Sequence, residues 1–314
     1  MMLHFEDRFV GVDGLELYYQ SWLPTGQAKA VLGIVHGLGS HSRLFYNLVK
    51  AVVPYGYGVY AFDLRGHGQS PGQRGHINNW QEFRGDLGRF RQLIAQHHPG
   101  LPCFLLGHSL GAVILMDYGL HYPHTLAGLI AMAPAIGPLG VSPLRLKLCQ
   151  LLSRSWPRFS LKTGLDHDAG SHDPAIITAY SQDPLRHTSG TARLATEFLG
   201  TIRQIQQQID RWQTPILILH GSDDRVVSPT GSRQLFEQLP IADKEYREYH
   251  GGYHDLHNDI YVPQMAEDIL NWLERQVQGN AALCQLSRHQ QVAGQQPLSY
   301  DDSLALLPSG LHFA

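Results

Sequence analysis

The chain has few cysteines, little excess charge and no long apolar run, and each of these features excludes a class of protein. Its three cysteines, Cys103, Cys149 and Cys284, are widely spaced and form no C-x-x-C pair, so the sequence predicts neither a disulfide framework nor a zinc site. The formal net charge of −3 over 314 residues argues against a nucleic-acid partner. No apolar run approaches the roughly 18 residues that a membrane-spanning helix needs.

The N-terminal segment and the chain length set two further expectations. Residues 1–7 show no basic stretch followed by an apolar one, which is the pattern of a secretory signal peptide. We therefore expect the protein to be cytoplasmic. The length would suit about two domains, although α/β folds of this size often surround a single sheet.

Short β-rich runs alternate with longer amphipathic stretches along most of the chain. The sequence predicts an N-terminal hairpin over residues 8–22, followed by strands at 30–36, 58–63, 102–107, 127–133, 215–220 and 244–249. This alternation predicts βαβ units, and hence a mostly parallel central sheet with helices on both faces. The order is interrupted between about residues 137 and 210, where helical patterns occur without a convincing strand.

These observations divide the chain into three predicted parts. Residues 1–136 and 211–278 form an α/β core, and residues 137–210 form a helical cap over the C-terminal edge of the sheet. Open α/β sheets bind their ligands at that edge. Residues 279–314 are rich in Gln, Ser and Gly, so we expect a flexible or loosely docked extension.

The most informative stretch joins the predicted strand at 102–107 to a helical pattern. Residues 107–111 read G-x-S-x-G, with Ser109 at the centre. A strand before this motif and a helix after it are typical of a nucleophile elbow, in which a sharp, strained turn exposes the serine hydroxyl. Gly107 and Gly111 leave room for that turn. Ser109 is therefore the predicted nucleophile.

A base and an orienting acid are expected downstream of the nucleophile, in the order Asp and then His. The strand at 215–220 leads to Asp223 and Asp224, and the strand at 244–249 leads to His250, His254 and His257. In such a triad the histidine takes the serine proton, and the aspartate fixes the histidine tautomer. Position along the chain leaves both acids and all three histidines open.

Together these motifs resemble the monoacylglycerol lipase and lysophospholipase branch of the α/β-hydrolases, the serine aminopeptidase S33-like enzymes. The resemblance spans roughly residues 5–277 and rests on residues 36–42, 63–76, 107–111, 221–225 and 252–254. It implies the α/β-hydrolase fold with a helical cap insertion. It also makes Asp224 the acid and His254 the base, with no cofactor or metal ion required.

The same resemblance assigns roles around the triad. The backbone N–H groups of Leu38 and Leu110 would form the oxyanion hole. His257 matches a histidine that helps to hold the glycerol end of the substrate, although a polar residue at a helix start would fit the position equally well. Asp63 and Arg65 are expected to fix their loop by pairing with backbone and with one another.

The predicted cap begins with a basic amphipathic helix over residues 144–159. Leu144, Leu148, Leu151 and Leu152 share one face, and the segment carries four cations and no acid. Such a helix can lie on a membrane and guide an acyl chain inward, which makes Leu148 and Leu151 predicted substrate contacts and peripheral membrane contact a hypothesis. A helix packed on its own domain is the alternative. Residues 181–185 resemble the cap of bacterial members.

The sequence therefore predicts a serine carboxylester hydrolase that acts on lipids with a single acyl chain through an acyl-enzyme. An esterase or acyltransferase for another small ester would use the same triad. A non-catalytic receptor or scaffold would normally lack at least one residue of the triad, whereas Ser109, Asp224 and His254 are all present.

Overall fold

The computed structural model describes residues 2–137, 143–164 and 170–293. In these ranges the strands are β1 Met2–Val10, β2 Glu16–Pro24, β3 Ala30–Val35, β4 Tyr57–Phe62, β5 Cys103–His108, β6 Gly128–Met132, β7 Ser160–Lys162, β8 Ser189–Thr191, β9 Ile216–Gly221 and β10 Lys244–Tyr249. The α-helices of the same ranges are α1 Tyr46–Val52, α2 Gln81–His97, α3 Leu110–His121, α4 Pro143–Ser155, α5 Pro174–Gln182, α6 Ala192–Gln208, α7 Pro229–Gln238 and α8 Val262–Ala293.

Eight strands form one sheet of the predicted α/β-hydrolase kind, in the order β1-β2-β4-β3-β5-β6-β9-β10. β2 pairs antiparallel with β1 and β4, and every later pair is parallel. The predicted fold class is therefore confirmed. The hairpin is longer than predicted, because β1 begins at Met2 and pairs along its whole length, from Met2 opposite Pro24 to Val10 opposite Glu16.

Helices cover both faces of the sheet because its central strands are apolar at successive positions. In β3, Val31 and Val35 belong to a core cluster with α2 and α3, whereas Leu32 and Ile34 belong to the opposite cluster with α1 and α8. Successive strand residues point to opposite faces, so a continuous apolar run fills both cores. The apolar strands leave the ends of the sheet, where strands meet loops, as the place for His108 and His220.

The insertion between β6 and β9 contains α4, β7, α5, β8 and α6, and α4 packs on α6 while α6 packs on α3. The expectation that this insertion has no strand is wrong. β7 and β8 form a small antiparallel sheet in which Ser160 lies opposite Thr191. Three-residue strands are too short to show the period-two alternation by which strands are found in a sequence.

Contacts divide the chain into one compact unit that ends at Val277 and a second that begins at Gln278. The last helix, α8, continues to Ala293, so the predicted extension at 279–314 begins within a helix. Its final stretch is rich in Ala, Leu and Gln and meets no proline before Pro297, which favours helix over loop. Residues 294–314 lie outside the described ranges, and the flexibility of the extension stays a prediction. None of the described helices has the length and apolar character to cross a bilayer.

Candidate active site

Ser109 occupies a strained turn between β5 and α3. Its φ of 55° and ψ of −115° lie in a region that residues with a side chain rarely adopt. Neither flanking glycine could carry a side chain: a Cβ on Gly107 would lie 2.6 Å from the Gly111 carbonyl oxygen, and one on Gly111 would lie 2.2 Å from that of Val35. The turn thus has the backbone form expected of a nucleophile elbow.

Asp224 and His254 form a short hydrogen bond, with His254 Nδ1 2.6 Å from Asp224 Oδ2. The same carboxylate oxygen lies 3.1 Å from Nε2 of the buried His220. The other oxygen, Oδ1, accepts hydrogen bonds of 2.8 Å from the N–H groups of Val226 and Val227. Four partners therefore fix the carboxylate, and His254 Nε2 is the nitrogen left for chemistry.

Asp224 and His254 each stabilise the charged form of the other. Burial alone would raise the pKa of Asp224, but the attraction of His254 and the hydrogen bonds from His220 and His254 hold it well below its usual range. Burial likewise works to lower the pKa of His254, and the Asp224 carboxylate overcomes that effect and raises it above its ordinary 6.5. Asp224 is thus poised to stabilise an imidazolium on His254.

Asp223 and His250, which the sequence left open as the acid and the base, are not part of this pair. Asp223 is exposed and accepts a hydrogen bond of 2.8 Å from Ser222 Oγ, and His250 is exposed as well. Of the two adjacent aspartates, the structure places Asp224 against His254. A sequence cannot separate the two by composition, because the difference lies in which side chain points inward at the end of β9.

Ser109 and His254 line one cavity of about 680 Å³ between the core loops and the cap. Its volume falls within the range of small-molecule sites, about 300–1,000 Å³. Leu38 and Leu110 lie on the core side of its wall, and α4 and α6 contribute Leu148, Leu152, Leu194 and Phe198. Leu151 lies off this wall with 62% of its surface exposed, and the side chain of Leu144 is outside the described residues.

The loop that follows β3, residues 36–42, is fixed from the core by His36. The Leu64 N–H donates to His36 Nε2 at 2.9 Å, so the ring proton must lie on Nδ1, which is 2.7 Å from the Gly37 carbonyl oxygen. Burial lowers the pKa of His36 to about 4 and keeps the ring neutral. We call residues 36–42 the β3 loop.

Anchoring the Gly37 carbonyl also orients the next N–H. In a trans peptide the C=O and N–H point in opposite directions, so the Leu38 N–H points away from the His36 ring. The Leu110 N–H belongs to the first turn of α3, where N–H groups have no partner within the helix. Both residues line the cavity with Ser109, an arrangement suited to two backbone donors.

His257 lies behind the cavity wall and not on it. It is 1% exposed, stacks on the Phe45 ring at 4.1 Å and packs against His108 at 4.8 Å. The resemblance placed substrate at this position, but the burial of the ring supports a packing role. Burial of this kind depends on tertiary contacts and leaves no local signal in the sequence.

Two cavity residues next to Ser109 and His254 were not identified in the sequence. His108 Nε2 lies 3.1 Å from the His254 carbonyl oxygen and 3.3 Å from Asp255 Oδ1, and both His108 and Asp255 line the cavity. Their adjacency to Ser109 and His254 was the available signal. Ligand-type atoms of His108, His254 and Asp255 lie within 4.8 Å of one another, although His254 Nδ1 is already committed to Asp224.

The loop at 63–76 serves a structural role, with one correction to its expected pairing. Asp63 accepts hydrogen bonds of 2.7 Å from the backbone N–H groups of Ser42 and Gln69, as expected. Arg65 does not pair with Asp63. Its Nε and Nη2 donate to the two oxygens of the buried Asp86 at 2.7 and 2.9 Å in a bidentate pair, whereas the two oxygens of Asp63 accept from the backbone.

Comparison with known proteins agrees with this fold and site. The family model for serine aminopeptidase, S33, matches residues 26–261. A monoacylglycerol lipase from Mycolicibacterium smegmatis is 32% identical over 270 residues, covering 85% of this chain and 96% of that protein. A monoglyceride lipase from Rattus norvegicus is 30% identical over 282 residues, covering 88% and 92%.

A solved structure extends the likeness to three dimensions. The crystal structure of Paleococcus ferrophilus monoacylglycerol lipase superposes with a TM-score of 0.76 at 32% identity, covering 83% of this chain and 100% of that one. The chain therefore belongs to the serine aminopeptidase S33 family, within the monoacylglycerol lipase branch of the α/β-hydrolases, and is a carboxylic ester hydrolase.

Proposed function

We propose that the protein hydrolyses lipids with a single acyl chain, monoacylglycerols above all, through an acyl-enzyme on Ser109. One observation carries the proposal: the elbow serine and a histidine bonded to a buried aspartate at 2.6 Å share one cavity. The names of the relatives supply the substrate class, since those from Mycolicibacterium smegmatis and Rattus norvegicus are monoacylglycerol lipases.

Each step of the proposed reaction uses a named atom. Ser109 Oγ attacks the ester carbonyl carbon while His254 Nε2 takes its proton, and Asp224 stabilises the imidazolium. The N–H groups of Leu38 and Leu110 donate to the oxyanion of the tetrahedral intermediate. His254 then protonates the leaving alcohol, and water attacks the acyl-enzyme with the same base to release the acid.

The cap wall of the cavity suits an acyl chain. Leu148 and Leu152 of α4 and Leu194 and Phe198 of α6 give it an apolar surface. Removing each methylene of a bound chain from water contributes about 0.8 kcal/mol. We therefore assign the acyl chain to this side, with Leu148 as a contact, and carry no substrate contact over to Leu151 or His257.

A surface on the cap supports peripheral membrane contact. We define the cap patch as the exposed apolar residues of this region, each between 56% and 62% exposed: Leu148, Leu151, Trp156 and Leu161. Exposed cations lie among them in the sequence: Lys147, Arg154, Arg158 and Lys162. Leu148 and Leu161 also line the cavity, so the patch adjoins it. Apolar side chains among cations suit a surface with anionic lipids.

The test of the proposed function compares substrates and removes the nucleophile. We expect hydrolysis of a long-chain monoacylglycerol to exceed that of lysophosphatidylcholine with the same chain, and Ser109→Ala to abolish both, together with fluorophosphonate labelling. Hydrolysis retained in a folded Ser109→Ala protein would contradict the mechanism. Faster turnover of a short aryl ester, or acyl transfer to an added alcohol in preference to water, would favour an esterase or an acyltransferase.

A further inference from the structure

A segment of the cap, residues 183–188, contacts the β3 loop at two points. Asp183 Oδ2 lies 2.8 Å from Nε2 of His41, whose side chain is 2% exposed. The His187 N–H donates to the Gly39 carbonyl oxygen at 3.1 Å. Gly39 has a φ of +69°, and a Cβ there would lie 1.8 Å from the His187 carbonyl oxygen. The cap segment therefore packs directly on the loop backbone.

The Asp183 carboxylate joins this contact to the shape of the segment itself. Its Oδ1 accepts a hydrogen bond of 2.8 Å from the Leu185 N–H, and its carbonyl accepts one of 3.2 Å from the Arg186 N–H. The Arg186 guanidinium covers the Tyr180 ring at 3.7 Å. Burial would raise the pKa of Asp183, but the bonds from His41 and Leu185 hold it below its usual range. A charged carboxylate thus fixes the turn and the loop together.

The β3 loop is consequently held from two sides. His36 fixes the Gly37 carbonyl from the core at 2.7 Å, and the cap segment holds Gly39 and His41. Leu38 lies between these two anchors. The direction of its N–H therefore depends on the cap as well as on the core.

The geometry points to Asp183 as a positioning residue for the oxyanion hole: through His41 it holds the β3 loop so that the Leu38 N–H reaches the reacting oxygen. Seating the cap segment then completes the hole. This inference rests on the proposed function, since it concerns the same Ser109 chemistry. Asp183 itself lies off the described cavity wall, so its effect passes through the loop.

The test compares Asp183 with a second aspartate of the cap. Asp173 is exposed, precedes α5 as its N-cap and accepts a hydrogen bond of 2.8 Å from the N–H of Ala175, two residues on, the same spacing as from Asp183 to Leu185. Losing an oxyanion donor outright lowers kcat by about 10²–10³, so we expect misplacement in Asp183→Ala to lower it by about 10- to 100-fold. Asp183→Asn, which keeps the shape of the side chain, should lose less. Asp173→Ala should stay within about twofold of wild type.

Two readouts separate positioning from simple loss of structure. The fall in kcat should be equal for p-nitrophenyl acetate and a long-chain monoacylglycerol, with little change in KM, because the oxyanion is common to both substrates. Affinity for a short-chain alkyl trifluoromethyl ketone, whose adduct with Ser109 places an oxyanion in the hole, should fall by the same factor. Circular dichroism and thermal unfolding would establish that the variants fold.

Two results would overturn the inference: unchanged kcat on the acetate ester in folded Asp183→Ala, or a rise in KM confined to the long-chain substrate. Asp183→Asn provides the same comparison if the alanine variant does not fold. Failure of the proposed function is a separate outcome, because it would appear as hydrolysis retained in Ser109→Ala whatever the Asp183 variants do.

Discussion

The two walls of the cavity differ in how tightly their residues are held. On the core wall, His254 is held by Asp224, which four hydrogen-bond partners fix, and Ser109 is held by a turn in which Gly107 and Gly111 admit no side chain. On the cap wall, Leu148 contributes an apolar surface while remaining 56% exposed. The tightly held core wall suits catalysis, and the more exposed cap wall suits selection among acyl chains.

This contrast predicts two patterns of loss. A substitution on the core wall should slow every substrate by the same factor, since the reacting atoms are common to all of them. A substitution on the cap wall should act in proportion to the apolar chain that it contacts. Asp183 is the informative exception, because it belongs to the cap and contacts the core loop at His41.

The largest effect that we expect comes from Asp224. Asp224→Asn should lower kcat by roughly 10⁴, because the amide stabilises the wrong tautomer of His254. The exposed neighbour Asp223 gives a matched control, and Asp223→Asn should stay within a few-fold of wild type. Steady-state kinetics on p-nitrophenyl acetate and on a long-chain monoacylglycerol should show equal losses. If Asp223→Asn proves the more damaging substitution, the acid has been misassigned.

The next largest effect tests the oxyanion hole. Leu38→Pro deletes the backbone N–H and should lower kcat by about 10²–10³ for short and long substrates alike. Leu38→Ala keeps the N–H and should retain most of the activity, which separates the donor from the side chain. Size-exclusion behaviour should be unchanged in both. Near-normal turnover by Leu38→Pro would remove Leu38 from the hole.

The core was predictable because its signals are local. Each predicted strand of the parallel series ends within one residue of its observed bounds, and β10 matches residues 244–249 at both ends. A strand buried on both faces is a continuous apolar run, and the elbow turn demands glycine at fixed positions. Neither signal depends on contacts made elsewhere in the chain.

The contacts that the sequence did not reveal join distant segments. Arg65 pairs with Asp86, 21 residues away, and His41 pairs with Asp183, 142 residues away. Many acids along the chain could have met either side chain, so composition gave no basis for choosing one. The strands of the cap were equally hard to predict, because β7 and β8 are short and are stabilised by pairing with each other.

A substitution on the cap wall should slow long-chain substrates more than short ones, unlike a substitution on the core wall. Leu148→Glu places a charge on the wall of the cavity, and interrupting contact with two methylenes at about 0.8 kcal/mol each corresponds to a loss of about 15-fold in kcat/KM on a long-chain monoacylglycerol. We expect p-nitrophenyl acetate to lose less than about twofold, because it has no chain to place. The ratio of the two losses within one variant removes any difference in folded fraction. Equal losses would mean that α4 only supports the cap.

The pH dependence tests the charge balance of the core wall. His254 must be neutral to accept the serine proton, and its pKa lies above 6.5, so kcat/KM should fall as the pH drops through a value above 6.5. Burial opposes this rise in pKa, whereas Asp224 and Asp255 promote it. Asp255→Asn should therefore move the acidic limb to lower pH, with several-fold higher relative activity below the wild-type pKa. A limb that stays in place would remove Asp255 from the electrostatics of His254.

The smallest effect concerns the cap patch and separates its two leucines. Leu151 is 62% exposed and lies off the cavity wall, whereas Leu148 lies on it. Leu151→Glu should therefore leave hydrolysis of a monomeric, soluble ester unchanged. On monoacylglycerol presented in vesicles with anionic lipid, the negative charge that Leu151→Glu adds opposes contact with the vesicle surface. The rate should therefore fall by a few-fold, with a smaller loss in neutral vesicles. Leu148→Glu should lower the rate on monoacylglycerol in neutral and anionic vesicles alike, because it affects the cavity as well as the patch. Co-sedimentation with the same vesicles would show whether binding falls along with the rate. If Leu151→Glu binds and hydrolyses like wild type in every vesicle, the cap patch does not contact membranes, and the exposure of its leucines must serve entry of the acyl chain alone.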